Sequence, residues 1–460
     1  MLKVRNEPIE SQFFAANRER LTGKLPSNSL AVVNANDVLP TNGDGTLAMI
    51  PNSDMFYLTG IEQEQTILVI YPDADEEKHR EILFLREPTS ENELWEGHKL
   101  TKAEARAVSG IKNVRWLPEF SRLFHRLICE CDHVFLDSNE HYRAIVDVES
   151  REARFVADTL RRYPLHDYRR LAPLMHRLRN VKSKAELAFI RKACELTADG
   201  FLRALNFVKP GVRESEVEAE FAHEFIRRGS QFAYSPIVAA GVNACCLHYA
   251  TNSSVCREGD LLLLDVAASY ANYNADMTRT LPVSGRFSRR QKRVYNSVLR
   301  VLRQCIQGLK PGKKPKEWQK EAEQFVEKEL VDLGLLSLRD IKQQDPEHPA
   351  FKKYFMHGIG HPLGLGVHDV SPTTLPFEAG SVMTVEPAIY IPAERFAIRL
   401  ENDVLLTKQG PVDLLESMPV EADEIEELMN QSKPHAGNGK TGNGKKSVLP
   451  TRRSPDLIGK

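Results

Sequence analysis

Net charge is nearly absent from this 460-residue chain. Its 62 Lys and Arg face 63 Asp and Glu, a formal charge of -1, so no bulk field draws it to nucleic acid or to an anionic membrane. Long apolar runs are missing too. No stretch reaches the roughly 18 residues that a spanning helix needs, and the opening MLKVRNEPIE has no signal-peptide character. The 7 cysteines are odd in number, and none stands in a C-x-x-C pair. That argues against a disulfide framework and against a thiolate zinc site. Most of these cysteines read as small buried apolar residues. The expectations are a cytoplasmic protein with no nucleic-acid partner and no membrane partner.

The charge balance is uneven. Residues 431–460 carry a net +6, which leaves -7 on the rest. That tail is Gly, Asn, Lys, Ser and Pro, too polar to offset the entropy of ordering, so it is expected to be disordered. Its GNGKTGNGKK run lacks the spacing and the flanking strand and helix of a phosphate-binding loop.

What remains is enough for two domains. Residues 1–175 alternate short apolar runs with amphipathic ones, the pattern of an α/β domain with a mixed sheet. Strands are expected at Leu30–Val33, Leu47–Pro51, Thr66–Tyr71, Glu81–Leu85 and Val134–Leu136. Asn52-Ser53-Asp54 reads as a turn. Helices are expected near 102–108, 119–128 and 149–160, and residues 167–182 read as a linker. Ser183 with Glu186 then forms a capping box. Paired helices from 183 and from 289 each precede a set of strands, which suggests two similar halves in a domain spanning 176–425. Leu261–Ala267 and Tyr273–Thr280 are expected to pair antiparallel.

Chemistry concentrates in that second region. Asp265 follows four leucines, and an ionised carboxylate in so apolar a strand is costly unless paired or metal-bound. Asp276 lies eleven residues on, where a hairpin could bring it to the same face. Either carboxylate could instead be held by Arg279 or by backbone amides. His357, His361 and His368 fall in a glycine-rich segment whose bare backbone can approach a ligand closely. Glu386 ends an apolar run before Pro387. Arg399 and Glu401, two apart on a strand, share a face. Four carboxylates and one imidazole balance two divalent cations, and an oxygen-rich set suits Mn²⁺ while admitting Co²⁺ or Zn²⁺.

In order and type, Asp265, Asp276, His361, Glu386 and Glu401 resemble the ligands of the pita-bread metallopeptidases. The resemblance implies a C-terminal pita-bread domain behind the N-terminal α/β domain. It implies Asp265 on one metal, His361 and Glu386 on the other, and Asp276 and Glu401 bridging. His248-Tyr249, His357, His368 and Arg399 resemble the accessory residues of the proline-specific branch. Asn52 to Gly60 and Trp95-Glu96-Gly97 are similar to segments of the aminopeptidase P amino-terminal domain. The implied activity is removal of the first residue from peptides with proline second, by a homodimer or homotetramer. Glu386 would also carry a proton, and His248, His357, His368 and Arg399 would serve catalysis. The alternatives are a dipeptidase of the prolidase type and a catalytically silent binding relative. Three positions depart from the family pattern: Ala267 and Ala388 replace glycines, and Gly366 stands where many relatives carry Asp. Alanine would be strained at the first two if φ there were positive.

Overall fold

The computed structural model describes residues 8–431. Its first part is a sheet of β1 (Ser29–Asn34), β2 (Ile67–Ile70), β3 (Glu81–Leu85), β4 (Asn113–Trp116), β5 (His133–Leu136) and β6 (Asp167–Arg170). The strand order is β4-β3-β2-β1-β5-β6. β2 runs antiparallel to β1 and β3, and the other pairs are parallel, so the sheet is mixed as expected. The inner strands β1, β2, β3 and β5 read as largely apolar runs because both of their faces are covered. Leu68, Ile70, Leu83 and Leu85 enter one core, while Ile67, Val69, Ile82 and Phe84 enter the other. This is the period-2 alternation of a strand.

The helices here are α1 (Ser11–Thr22), α2 (Ser53–Thr59), α3 (Ser90–Glu96), α4 (Lys102–Ser109), α5 (Phe120–Ile128) and α6 (Arg151–Arg162). Three expectations need correction. Residues 47–51 form no strand; the neighbouring pairing is an isolated bridge between Pro40 and Thr46. Asn52-Ser53-Asp54 is a helix start rather than a turn. The Asn52 side chain accepts from the amides of Asp54 and Met55, and Gly60, at φ +69°, closes α2. The expected linker 167–182 is structured throughout: β6 extends the sheet, and α7 (Ala172–Asn180) follows. Arg-rich composition concealed both. In α7, Met175 and Leu178 enter the first core while the arginines point to other tasks.

The second part opens with α8 (Lys184–Phe207) and α9 (Glu214–Arg227), and the Ser183–Glu186 capping box is present. The strands β7 (Gln231–Phe232), β8 (Ile237–Ala240), β9 (Leu261–Asp265), β10 (Ala268–Tyr270), β11 (Tyr273–Asn274) and β12 (Thr278–Pro282) follow. The single partner strand expected at 273–280 is split in two. β11 pairs with β10, whereas β12 pairs with β9 and sets Thr278 opposite Asp265. Helices α10 (Arg289–Gly308), α11 (Pro315–Asp332) and α12 (Leu338–Gln343) lead to β13 (Val382–Val385), β14 (Ala388–Ile391), β15 (Phe396–Arg399), β16 (Asn402–Thr407) and β17 (Gly410–Asp413). Helix pair and sheet thus occur twice, as β12-β9-β8 and as β13-β16-β17. A bridge between Thr278 and Glu401 stitches the halves together.

The chain closes with α13 (Ala422–Gln431), whose Ala422, Ile425 and Met429 are buried. Gln431, assigned to the tail from its composition, is the last residue of this helix. The rest of the expected disordered tail, 432–460, lies outside the described residues. The two parts are packed closely. Phe56 of α2 belongs to the separate core of the second part, and Leu365 packs both against that core and against the first-part core that holds Leu68 and Leu83.

Candidate functional site

The site lies where the two halves meet. Asp265 ends β9 because the four leucines before it are wholly buried and carry it inward. Asp276 sits in the non-strand link between β11 and β12. Glu401 lies immediately before β16, and its amide donates to the Thr278 carbonyl at 3.0 Å. His361 arrives on the glycine-rich segment, with its amide bonded to the Thr384 hydroxyl. Ligand-capable atoms of Asp276, His361 and Glu401 all lie within 4.8 Å of one another. Glu386 flanks this trio, its Oε1 3.8 Å from His361 Nε2. Asp265 is turned to Arg399, with Oδ2 2.5 Å from Nη2, while its Oδ1 is buried without a hydrogen-bond partner.

The imidazole orientation is defined. His361 Nδ1 donates to the Pro362 carbonyl at 3.1 Å, which turns Nε2 toward Asp276 Oδ2 at 3.4 Å. None of Gly358, Gly360, Gly364 and Gly366 has positive φ, so backbone conformation requires none of them; space requires Gly360 and Gly364. A Cβ at Gly360 would stand 2.0 Å from the Thr384 carbonyl oxygen. Gly360→Ala is therefore expected to lower stability by on the order of 3 kcal/mol and to displace His361. A thermal melt checks the first and metal titration the second; an unchanged melt would show that the segment can move away.

Arg399 deserves a different reading from the one its sequence position suggests. It is buried, and its Nε donates to Thr278 Oγ1 at 3.1 Å and its Nη1 to the Tyr390 hydroxyl at 2.8 Å, besides the bond to Asp265. It acts on the carboxylates and on Tyr390. His357 Nδ1 donates to the Gly358 carbonyl, so its Nε2 accepts from the Tyr390 hydroxyl at 2.9 Å. Arg399, Tyr390 and His357 thus form one directed relay. His368 packs edge-on to His361, with ring centroids 4.3 Å apart. His248 is exposed, and it helps to lower the proton affinity of His357. Arg279 holds no carboxylate of the site. Its guanidinium bonds the carbonyls of Thr278, Glu401 and Pro419.

The charges here do not balance without a cation. Burial raises Asp265, Glu386 and Glu401 above the usual carboxylate range, and the neighbouring carboxylates add to it. Glu386 reaches about 7 even though His361 and Arg399 pull it down. His361 is lowered by burial, yet Asp276 and Glu386 overcome this and lift it to about 9. Burial, then the guanidinium of Arg399, drops His357 to about 4; burial, then His361 and Arg143, does the same to His368. Four carboxylates whose one guanidinium partner among the described residues is Arg399, together with an orphaned Asp265 oxygen, have the chemistry that suits a divalent metal ion.

Five contributors were not singled out from the sequence. Tyr234 donates to Asp276 Oδ1 at 2.7 Å, and Thr278 donates to Glu401 Oε2 at 2.8 Å. Thr384 and Tyr390 act as described above. Asp403 accepts the Asp276 amide at 2.9 Å. It could have been flagged by the reasoning applied to Asp265, since it too is an acid in an apolar strand. Tyr234 and Tyr390 carry no such signal. Ala267 and Ala388 are both buried, and neither has positive φ, so the strain that alanine could have introduced is absent. Gly366 contributes its amide, 3.4 Å from Asp369 Oδ1.

Residues 188–408 match the family model of metallopeptidase family M24, and residues 14–135 match that of the aminopeptidase P N-terminal domain. The Xaa-Pro aminopeptidase of Escherichia coli strain K12 is 32% identical over 92% of this chain and 98% of its own. Human Xaa-Pro aminopeptidase 3 is 30% identical over 89% and 82%. Zinc-substituted Escherichia coli aminopeptidase P, solved in complex with product, superposes with a TM-score of 0.83 at 31% identity, covering 93% of this chain and all of that one. Sequence, fold and donor set agree: the chain belongs to the Xaa-Pro aminopeptidases, metallopeptidases of family M24 that carry an aminopeptidase P type N-terminal domain.

Proposed function

We propose that this enzyme removes the first residue from peptides whose second residue is proline, using two divalent cations. The observation that carries this is the buried cluster of Asp276, His361 and Glu401, flanked by Glu386 and by Asp265, in a chain of this family. Asp265, Asp276, His361, Glu386 and Glu401 would hold the ions. The oxygen-rich set favours Mn²⁺ over Co²⁺ or Zn²⁺. When bound, such a pair supplies Lewis acidity to the scissile carbonyl and to a water molecule.

The chain's own groups supply the rest. Glu386, at the mouth of the cluster, takes the proton of the attacking water and delivers it to the departing proline nitrogen. His368 and His248 hold the carbonyl oxygen as charge develops on it. Burial and nearby cations keep His368 neutral at pH 7, with a value of about 4, so it donates one N–H without adding charge. Tyr390 and His357 orient each other, and Arg399 fixes Asp265. A proline nitrogen in a peptide bond bears no hydrogen, so a pocket built for its ring needs no acceptor at that point.

The same reading divides the chain into an N-terminal domain over 1–175, a catalytic domain over 176–425 and a basic tail from 431. It places the protein in the cytoplasm as a homodimer or homotetramer. Support for the compartment is the set of free cysteines, of which Cys131, Cys194, Cys256 and Cys305 are buried. Support for self-association is the exposure of Leu94, Trp95, Tyr142, Ile145 and Val146. Among the described residues no helix is long and apolar enough to cross a membrane.

The deciding experiment compares an Xaa-Pro-Yaa tripeptide with an Xaa-Pro dipeptide, each with Mn²⁺, Co²⁺ or Zn²⁺ supplied. The tripeptide is expected to be cut faster, with Mn²⁺ best. Preference for the dipeptide would assign the prolidase activity instead. No cleavage of either would point to a silent relative.

A further inference from the structure

A buried chain of charges joins the N-terminal domain to the segment that carries His361 and His368. Asp54, in the first turn of α2, accepts from Arg179 Nη1 at 2.8 Å. The other end of that guanidinium, Nη2, is hydrogen-bonded to Asp369 Oδ1. Lys182 Nζ holds Asp369 Oδ2 at 3.0 Å and the Arg179 carbonyl at 2.6 Å. Arg179, Lys182 and Asp369 are all buried. Two cations face two anions, so the chain is self-balanced and needs no outside charge. Arg179 and Lys182 outweigh the burial of Asp369 and hold its carboxyl at about 2, so it is ionised throughout the working range.

The charged chain is also built into the backbone. The Asp369 amide donates to the Pro362 carbonyl at 2.9 Å, closing the segment between the two histidines into a loop. A Cβ at Gly364 would lie 2.2 Å from Asp369 Oδ2 and 2.9 Å from Lys182 Nζ, so the backbone is pressed onto the ion pair. Among the described residues, no hydrogen bond holds the His368 ring. Its place depends on the Asp369 backbone beside it and on its edge-on contact with His361.

We infer that Asp54 of the N-terminal domain is a positioning residue for His368, acting through Arg179 and Asp369. The first domain then takes part in the chemistry by orienting the group that holds the reacting carbonyl. This rests on the proposed Xaa-Pro hydrolysis. Without Asp54, the Arg179 guanidinium is free to pivot about Asp369, so of the two cations that anchor the loop, Arg179 and Lys182, the first is no longer fixed in orientation. A shift of a positioned group by a fraction of an ångström to 1 Å can lower a rate by tenfold or more.

The test is a double-mutant cycle on an Xaa-Pro-Yaa tripeptide, with thermal melts and bound metal measured for every variant. Asp54→Asn keeps the side chain's size and removes its charge. It is expected to lower kcat about tenfold with KM within about twofold. In a His368→Ala background the same substitution is expected to change kcat less than about twofold, because the group it orients is gone. Arg179→Lys is the second variant and is expected to behave in the same way. An equal fold-loss in both backgrounds would assign Asp54 a purely structural role and overturn the inference, as would an unchanged kcat in folded Asp54→Asn. An unsubstituted protein that leaves the tripeptide intact overturns the proposed function and this inference together.

Discussion

Glu386→Gln is expected to lower kcat about 10³-fold while KM changes by less than about threefold. Gln keeps the shape of the side chain and one oxygen, so a metal can still be held, but the group can no longer accept a proton. General base catalysis by a positioned carboxylate contributes about 10²–10⁴ in rate. Glu386 is suited to it because it is only partly buried, whereas Asp276 and Glu401 are wholly enclosed. Burial, only partly offset by His361 and Arg399, raises it to about 7 in the metal-free chain, and it is the most exposed of the raised carboxylates. Steady-state kinetics with bound metal quantified checks this. A loss below tenfold in a variant that keeps its metal would move the proton to another residue.

Removal of the metal ions is expected to abolish turnover and to lower the melting temperature by about 5 °C or more, because an ion that binds only the folded chain stabilises it by mass action. The size of that drop depends on pH. In the chelated protein the Glu386 carboxyl is raised from an ordinary 4.5 to about 7. The folded state then holds the proton more tightly than the unfolded state does. The resulting stabilisation is complete below about pH 4.5 and is lost as pH rises through about 7. His361, raised to about 9, acts in the same direction, its contribution being complete below an ordinary 6.5 and lost as pH rises through about 9. With cations bound, the carboxylates are compensated as anions and this loss does not occur. Melts with and without Mn²⁺ at pH 5.5, 7 and 8.5 are expected to show a gap that widens with pH. A constant gap would show that the carboxylates are balanced by the protein's own groups.

The effect of metal loss and the effect of Glu386→Gln have one structural origin. The donor set was legible from the sequence because carboxylates in apolar strands are costly, and Leu261 to Leu264 ahead of Asp265 make that cost visible. Asp403 shows the limit of the same reasoning. It has the same local signature, yet its carboxylate serves the Asp276 amide and the Cys194 thiol rather than the trio. Nothing local separates the two, since the difference lies in which strand each residue faces. Arg399 shows a second limit. Its spacing from Glu401 placed it correctly on the site's side of the strand. Only the packing revealed that its guanidinium is committed to Asp265, Thr278 and Tyr390, and so is turned to the carboxylates.

Composition misled in one region. The Arg-rich stretch 167–182 resembled a linker because charged side chains hide the apolar ones that matter. There Met175 and Leu178 fill a core, while Arg179 and Lys182 are buried against Asp54 and Asp369. Burial of a charge becomes affordable only when a partner from a distant part of the chain is already in place, and Asp369 lies 190 residues from Arg179.

Residue type and order by themselves brought Asp265, Asp276, His361, Glu386 and Glu401 forward as candidates for one donor set, because ionised groups in apolar surroundings are costly unless paired or metal-bound. They also determined the strand alternation and the capping boxes, which depend on neighbours a few residues apart. Only the tertiary structure decided that Asp276, His361 and Glu401 form the tight centre while Asp265 leans on Arg399. It alone showed that Gly360 and Gly364 serve space rather than backbone conformation, and that the N-terminal domain reaches the loop of His368 through Arg179. These depend on contacts between residues from tens to nearly two hundred positions apart, where the geometry of packing, and not the order of the chain, sets which groups can meet.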